Sequence, residues 1–147
     1  MKITLLFASL LLAISSCQPS AQKINYGKQS CDFCRMSIVD DRYAAQLVNS
    51  KSRAYSFDAI ECLLHFKKEN ADQQWALELV TNYAEPGQLT DANHCQYIRS
   101  KKLPSPMGMY LTAVQTPNQA EVLTSEFGGA LFNYSTVLIQ WEQWAEL

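Results

Sequence analysis

A pattern of two strands, a helix and a third strand occurs twice between residues 43 and 139, and this duplication restricts the fold more than any other feature. In the first copy, Tyr43–Val48 and Ala54–Phe57 have strand character and are separated by the turn Asn49-Ser50-Lys51-Ser52. Asp58 is placed to cap a helix, and Glu61, three residues on, completes a capping-box spacing. Ile60, Leu63, Leu64 and Phe66 then share one helical face, opposite Glu61, His65, Lys68 and Glu69. Trp75–Val80 reads as the third strand. The second copy runs through strands at His94–Arg99 and Met109–Val114. Thr116-Pro117-Asn118-Gln119 gives it an N-cap, a first-turn proline and a capping-box glutamine. Ala120, Leu123 and Phe127 form its apolar stripe, Gly128-Gly129 stops the helix, and Ala130–Ile139 is expected as a strand. The turn-rich stretch Ala84-Glu85-Pro86-Gly87-Gln88 joins the copies. Two ββαβ units, 30–84 and 85–147, are each too short to bury a core alone. An α+β fold of two related small units packed together follows.

Ahead of the duplication stands a leader. Lys2 precedes an apolar run from Ile3 to Ile14, shorter than the roughly 20 residues a spanning helix needs. Ser15-Ser16-Cys17 places two small residues before a cysteine, as in a bacterial lipobox. Residues 1–16 are therefore expected to be a lipoprotein signal peptide, Cys17 the acylated first residue, and residues 17–29 a polar tether. The location expected is the cell envelope, on its periplasmic side. Gln18 rather than Asp after the cysteine points to the outer membrane.

Loss of the leader leaves 131 of the 147 residues and takes the formal net charge from -2 to -3. Basic clusters go no further than Lys67-Lys68 and Lys101-Lys102, so nucleic-acid binding lacks electrostatic support. Cys31, Cys34, Cys62 and Cys95 remain once Cys17 carries lipid. In an oxidising compartment four cysteines normally form two disulfides. A core of this size does not need such staples, which leaves the thiols open to other chemistry.

Residues 30–38, SCDFCRMSI, put two thiols and a thioether within six positions: Cys31, Cys34 and Met36. A thioredoxin-like dithiol would have a strand directly before the motif and a helix directly after it. Here polar residues precede it, and Ile38-Val39-Asp40-Asp41-Arg42 has no helical period. Closed tetrahedral zinc would want a second Cys-x-x-Cys or a His pair, whereas Cys62 and Cys95 stand alone, with His65 and His94 as possible extras. A thioether favours a soft ion such as Cu(I) over zinc, calcium or magnesium. Met107 offers another, in a loop stiffened by Pro104 and Pro106 and opened to close approach by Gly108. Met109, alternating with Leu111 and Ala113, reads as core. Cys62 lies at the edge of a helical apolar face and reads as a packed thiol, and His65 reads as surface. Cys95, beside His94, is free to join a metal site or to pair with Cys62.

Cys31-Asp32-Phe33-Cys34-Arg35-Met36, Tyr43-Ala44-Ala45-Gln46 and Ser56-Phe57-Asp58-Ala59-Ile60-Glu61-Cys62 together resemble the NosL family, lipoprotein accessory factors of nitrous oxide reductase. Pro106-Met107-Gly108 and Phe127-Gly128-Gly129 are similar to later landmarks of that family. The resemblance implies Cu(I) as the bound metal and its delivery to the copper centres of nitrous oxide reductase, directly or through assembly factors, without catalysis. It also implies an organomercurial-lyase-like fold of two related units. By position, Cys34 and Met107 become the foremost ligand candidates, followed by Cys31 and Met36. Family members usually carry glycine where Arg35 stands, and a tryptophan-containing stretch where this chain has Gln88-Leu89-Thr90-Asp91-Ala92. The rival expectations are a thiol-based enzyme, lyase or disulfide oxidoreductase, and a lipoprotein that sequesters zinc or heavy metals.

Overall fold

The computed structural model describes residues 18–145. The leader and Cys17 lie outside them. Each copy of the duplicated pattern forms a small antiparallel sheet whose first strand is central. In the first unit β1 (Ala45–Asn49) lies between β2 (Ala54–Phe57) and β3 (Trp75–Thr81), with Ala45 opposite Phe57 on one side and Val80 on the other. In the second, β5 (Gln96–Arg99) lies between β6 (Leu111–Val114) and β7 (Ala130–Asn133), with Tyr97 opposite Ala113 and Phe132. The equivalence of strand orders β2-β1-β3 and β6-β5-β7 makes the internal repeat structural as well as sequential. A short β4 (Leu89–Asp91) adds to the free edge of β3, so the chain completes the first sheet before a single 3-10 turn at Ala92–His94 leads into the second.

The two units share one core. Leu47, Phe57, Ile60, Leu63 and Val80 from the first pack in one buried cluster with Tyr97, Leu111, Ala113 and Tyr134 from the second. Each buried leucine, isoleucine, valine or phenylalanine among them contributes about 1.5–3 kcal/mol relative to exposure. A second cluster, Ile98, Leu103, Val114, Ala120 and Leu123, lies under α2 (Pro117–Phe127). The start of α2 is as expected: Gln119 N donates to Thr116 Oγ1 at 3.2 Å, and Gln119 Oε1 accepts from Thr116 N at 3.0 Å. At its end Gly128 takes a φ of 64°. Gly129, at φ 107°, has no room for a side chain, because a Cβ would stand 2.6 Å from the Arg99 carbonyl oxygen.

Three local expectations are corrected. The N-cap of α1 (Ile60–Glu69) is Ala59, without a side-chain bond, and not Asp58. Asp58 is buried and receives the Val39 backbone N–H instead. Glu61, expected on the solvated face, is 2 % exposed and turned into the protein. The expected strand 130–139 is only the four residues of β7, after which Tyr134–Ala145 forms a third helix, α3. Asn133 Oδ1 accepts from Thr136 N at 2.9 Å and starts that helix, while Tyr134, Val137 and Trp141 recur at helical spacing on its buried face.

Ahead of β1, residues 22–29 lie along the domain. Gln22 N donates to Gln46 Oε1 at 2.7 Å, Gln46 Nε2 donates to Gln22 O at 3.0 Å, and Ile24 is buried. Among the described residues, no helix is long and apolar enough to cross a membrane.

Candidate metal centre

The Cys31–Met36 segment is a closed loop. Ser30 pairs with Ser37 in an isolated bridge, Cys31 N donates to Met36 O at 2.8 Å, and Arg35 N donates to Cys31 O at 3.1 Å. Such a reversal requires a left-handed residue just after the second cysteine, and Arg35 takes it at φ 68°. The loop is tied to β2 from two sides: Asp32 N donates to Ser56 O at 2.9 Å, and Ser56 N donates to Asp32 Oδ2 at 2.7 Å. Ser56 lies shortly before α1, so this pair of hydrogen bonds holds the loop by the first turn of the helix, where the Cys62 sulfur lies within 4.8 Å of the loop's two.

The result is a triangle of sulfur. The Sγ atoms of Cys31, Cys34 and Cys62 all lie within 4.8 Å of one another. Cys31 and Cys62 are buried, and Cys34 is half-buried on the open side. No described histidine or carboxylate joins the triangle. Cys62 is therefore a member of the cluster rather than only a packed thiol. A cysteine in the first turn of a helix that follows the strand anchoring a Cys-x-x-Cys loop is the sequence signal that could have found it.

The three sulfurs differ in ionisation. Cys31 is held down at about 5, first by the hydrogen bond it receives from the Cys62 thiol and then, against the opposing effect of burial, by the backbone N–H groups of Asp58, Cys34 and Phe33. The same bond to the Cys31 thiolate, aided by burial, keeps Cys62 protonated. Burial pushes the Cys34 thiol up as well, with the Met36 N–H acting against it. One thiolate, one thiol donating to it and one more accessible thiol make up the metal-free triangle.

The thioether candidates are placed differently. Met36 closes the cysteine loop through its carbonyl, and its side chain is 49 % exposed. Met107 belongs to the second unit, on the loop between β5 and β6, and is 38 % exposed. That loop turns sharply, with Gly108 N donating to Ser105 O at 3.0 Å. Ser105 Oγ donates to Glu61 Oε1, so the Met107 loop is anchored to α1 at the residue next to Cys62. Burial raises the pKa of Glu61, opposed by the Ser105 hydroxyl and by N–H groups of Met109 and Leu111. Met109 is buried, as its strand alternation implied.

The histidines and Cys95 are also resolved. His65, read as surface, is instead half-buried: its ring stacks on Phe33 of the cysteine loop at 5.1 Å and meets Trp141 edge-on at 4.7 Å. His94 has a 79 % exposed side chain and lies 3.5 Å from Asp91. Cys95 is a free thiol facing the Asp91 carbonyl at 3.4 Å, with burial pushing it up to about 11. All four described cysteines are free, and Cys95 pairs with neither Cys62 nor the triangle.

A doubled ββαβ scaffold presenting three converging thiols, one ionised in advance, defines a sulfur-rich soft-metal-binding domain. The comparisons with known proteins agree on lineage. The chain belongs to the NosL family, whose model matches residues 23–141. The crystal structure of the copper chaperone NosL from Shewanella denitrificans has the same fold, with a TM-score of 0.65 and 16% sequence identity over 79% of this chain and 93% of that one. No curated protein matches.

Proposed function

We propose that this protein is an extracytoplasmic, lipid-anchored Cu(I) chaperone that delivers copper to nitrous oxide reductase, directly or through its assembly factors. The carrying observation is the sulfur triangle, within 4.8 Å on every side, in a chain of the NosL family. A metal–sulfur bond of about 2.3 Å puts the sulfurs of a planar three-coordinate ion about 4 Å apart, so a small closure suffices. Tetrahedral zinc would need a fourth donor, and among the described residues no histidine or carboxylate completes the set. Soft Cu(I) accepts two or three sulfurs, and Met36 and Met107, both exposed, carry the thioethers that would serve it as neutral, exchangeable further ligands.

In this role the chain is a carrier rather than a catalyst. Cys31 supplies the entry thiolate. Cys34 and Cys62 lose protons as the ion arrives, so affinity rises with pH through neutrality. Half-buried Cys34 provides the side from which a partner's ligands can take the ion. The copper centre of Cys31, Cys34, Met36 and Met107 expected from sequence gains Cys62 as a fifth candidate donor.

The test is an anaerobic competition titration of the full-length protein against a chromophoric Cu(I) chelator. Wild type is expected to take up one Cu(I), and Cys31→Ala and Cys34→Ala to lose most of the affinity with little change in far-UV circular dichroism. Unchanged affinity in both variants defeats the assignment. Copper appearing in apo-nitrous oxide reductase after mixing with the loaded chain tests delivery, and loss of membrane fractionation in Cys17→Ser tests the anchor.

A further inference from the structure

Glu61 is a carboxyl 2 % exposed in the first turn of α1, a place where an ionisable group carries a desolvation penalty. Burying such a group is unfavourable, and only Oε1 has a hydrogen-bond partner while Oε2 is buried without one, so what the Ser105 bond adds is position more than stability. Every partner of Glu61 in the second unit belongs to the Met107 segment or its continuation. Ser105 Oγ donates to Oε1, and the N–H groups of Met109 and Leu111 face the carboxyl.

Ser105 is in turn fixed within its own loop. Its hydroxyl accepts from Tyr110 N at 2.9 Å, and Ser100 N donates to Tyr110 O at 3.1 Å across the loop base. Arg99 Nε adds a bond to Met109 O at 3.3 Å. Residues 100–110 thus form a closed loop with one end of its tip fastened to Glu61. From the thiol triangle the path is short: one peptide bond from Cys62 to Glu61, one hydrogen bond to Ser105, then Pro106 and Met107. The backbone between Ser105 and Met107 is stiffened by Pro106 and held in a turn by the Gly108–Ser105 bond.

We propose that Glu61 is the positioning residue for the Met107 thioether, setting where it stands relative to the sulfur triangle across the two units. This rests on the copper reading above and deepens it. Without the strap, the Met107 loop keeps its internal bonds but loses its register on α1. The thioether then contributes no more to the ion than it would from a free loop.

The experiment is a double-mutant cycle on Cu(I) affinity, using the full-length protein with Glu61→Ala, Met107→Leu and the pair, alongside Glu61→Gln, Ser105→Ala and Cys31→Ala. Copper X-ray absorption reports the sulfur count. Glu61→Ala and Met107→Leu are each expected to weaken binding about tenfold, and the double variant no further. Each single variant should lose the same sulfur scatterer. Glu61→Gln, whose amide oxygen still accepts from Ser105, should restore most of the affinity. Ser105→Ala cuts the same strap together with the Tyr110 N bond inside the loop, and with Glu61→Gln as the variant that keeps both bonds it carries the test if Glu61→Ala fails to fold. Multiplying effects in the double variant overturn the proposal, as does wild-type affinity in both strap variants. Wild-type affinity in Met107→Leu, with affinity still lost in Cys31→Ala, overturns this inference alone. A wild-type chain that takes up no Cu(I) overturns it together with the copper reading.

Discussion

The metal-free triangle should already carry a thiolate in mildly acidic solution, and lowering the pH should remove it at a defined thermodynamic penalty. Cys31 titrates at about 5 against an ordinary value of 9.0, a depression of about four pH units. At about 1.4 kcal/mol per unit this has a ceiling on the order of 5 kcal/mol in favour of the folded state. The realised figure is smaller, because one hydrogen bond, from the Cys62 thiol to the Cys31 thiolate, lowers Cys31 and raises Cys62 at once and is counted a single time. The sign follows from the depression. The folded value lies below the ordinary one, so the stabilisation is complete above about pH 9 and is lost as pH falls through about 5. Cys62, raised in the fold, acts oppositely: its contribution is present below its ordinary value of 9.0 and declines above it. The stability contributed by the triangle therefore peaks near about pH 9. Asp58 and Glu61, both raised by burial, add acid-side terms of their own, so the quantity to measure is wild type minus Cys31→Ser at each pH. Thiolate absorbance of reduced apo-protein should show one ionisation centred near about pH 5, absent from Cys31→Ser, and urea melts should show the stability difference growing as pH rises from about 5 to about 9. A first thiolate step near pH 9, or an acid step that survives in Cys31→Ser, refutes the reasoning.

Three further perturbations probe the scaffold. Arg35 is exposed at φ 68°, a region that costs non-glycine residues about 1–2 kcal/mol. Arg35→Gly should raise the urea midpoint slightly, because glycine's greater freedom in the unfolded chain offsets part of the gain, and Arg35→Val should lower it. Gly129→Ala would place its Cβ 2.6 Å from the Arg99 oxygen and 2.8 Å from the Ser100 Cβ, at φ 107°. A loss of about 2–3 kcal/mol in chemical denaturation is expected, with the α1 and cysteine-loop signals in hydrogen exchange less affected than those of β5 and β7. Tyr134→Phe removes the hydroxyl that donates to Glu78 Oε2 at 2.6 Å beside the Lys67–Glu78 ion pair at 2.7 Å. It should lower stability by about 1–2 kcal/mol and leave Cu(I) affinity unchanged.

Legibility in the sequence followed the range of the interaction. Helix α2 could be read in detail, because Thr116, Pro117 and Gln119 cap it with bonds that span three residues. Strand β2 could be read too, since the turn after β1 bounds it on one side and α1 on the other. The same local logic misled at α1: the Asp58–Glu61 spacing matches a capping box, but burial draws both carboxylates elsewhere, to the Val39 N–H and to Ser105. It misled again at residues 134–139, where β-branched and aromatic residues look strand-like while Tyr134, Val137 and Trp141 follow a helical period set by packing against the other unit. Strand β4 was hidden because three residues carry too little pattern, and its partner β3 supplies the bonds.

The metal centre divides along the same line. Cys31 and Cys34 announce themselves by spacing, because the loop that joins their sulfurs is closed within six residues by the Cys31–Met36 bond. Cys62 joins them only through the Asp32–Ser56 pair of bonds and the helix that follows β2, a chain of contacts that one residue's periodicity does not encode. A site assembled this way separates two tasks. The local loop sets the preference for a soft ion, while the long-range member sets the charge, since the Cys62 thiol is the first cause of the ionised Cys31. Replacing Cys62 with serine would keep the spacing of the motif and a hydroxyl donor to Cys31 but remove one sulfur. If affinity then falls while the acid thiolate step persists, Cys62 acts as a ligand. If the thiolate step moves toward the ordinary value and affinity at high pH is kept, it acts through the proton alone.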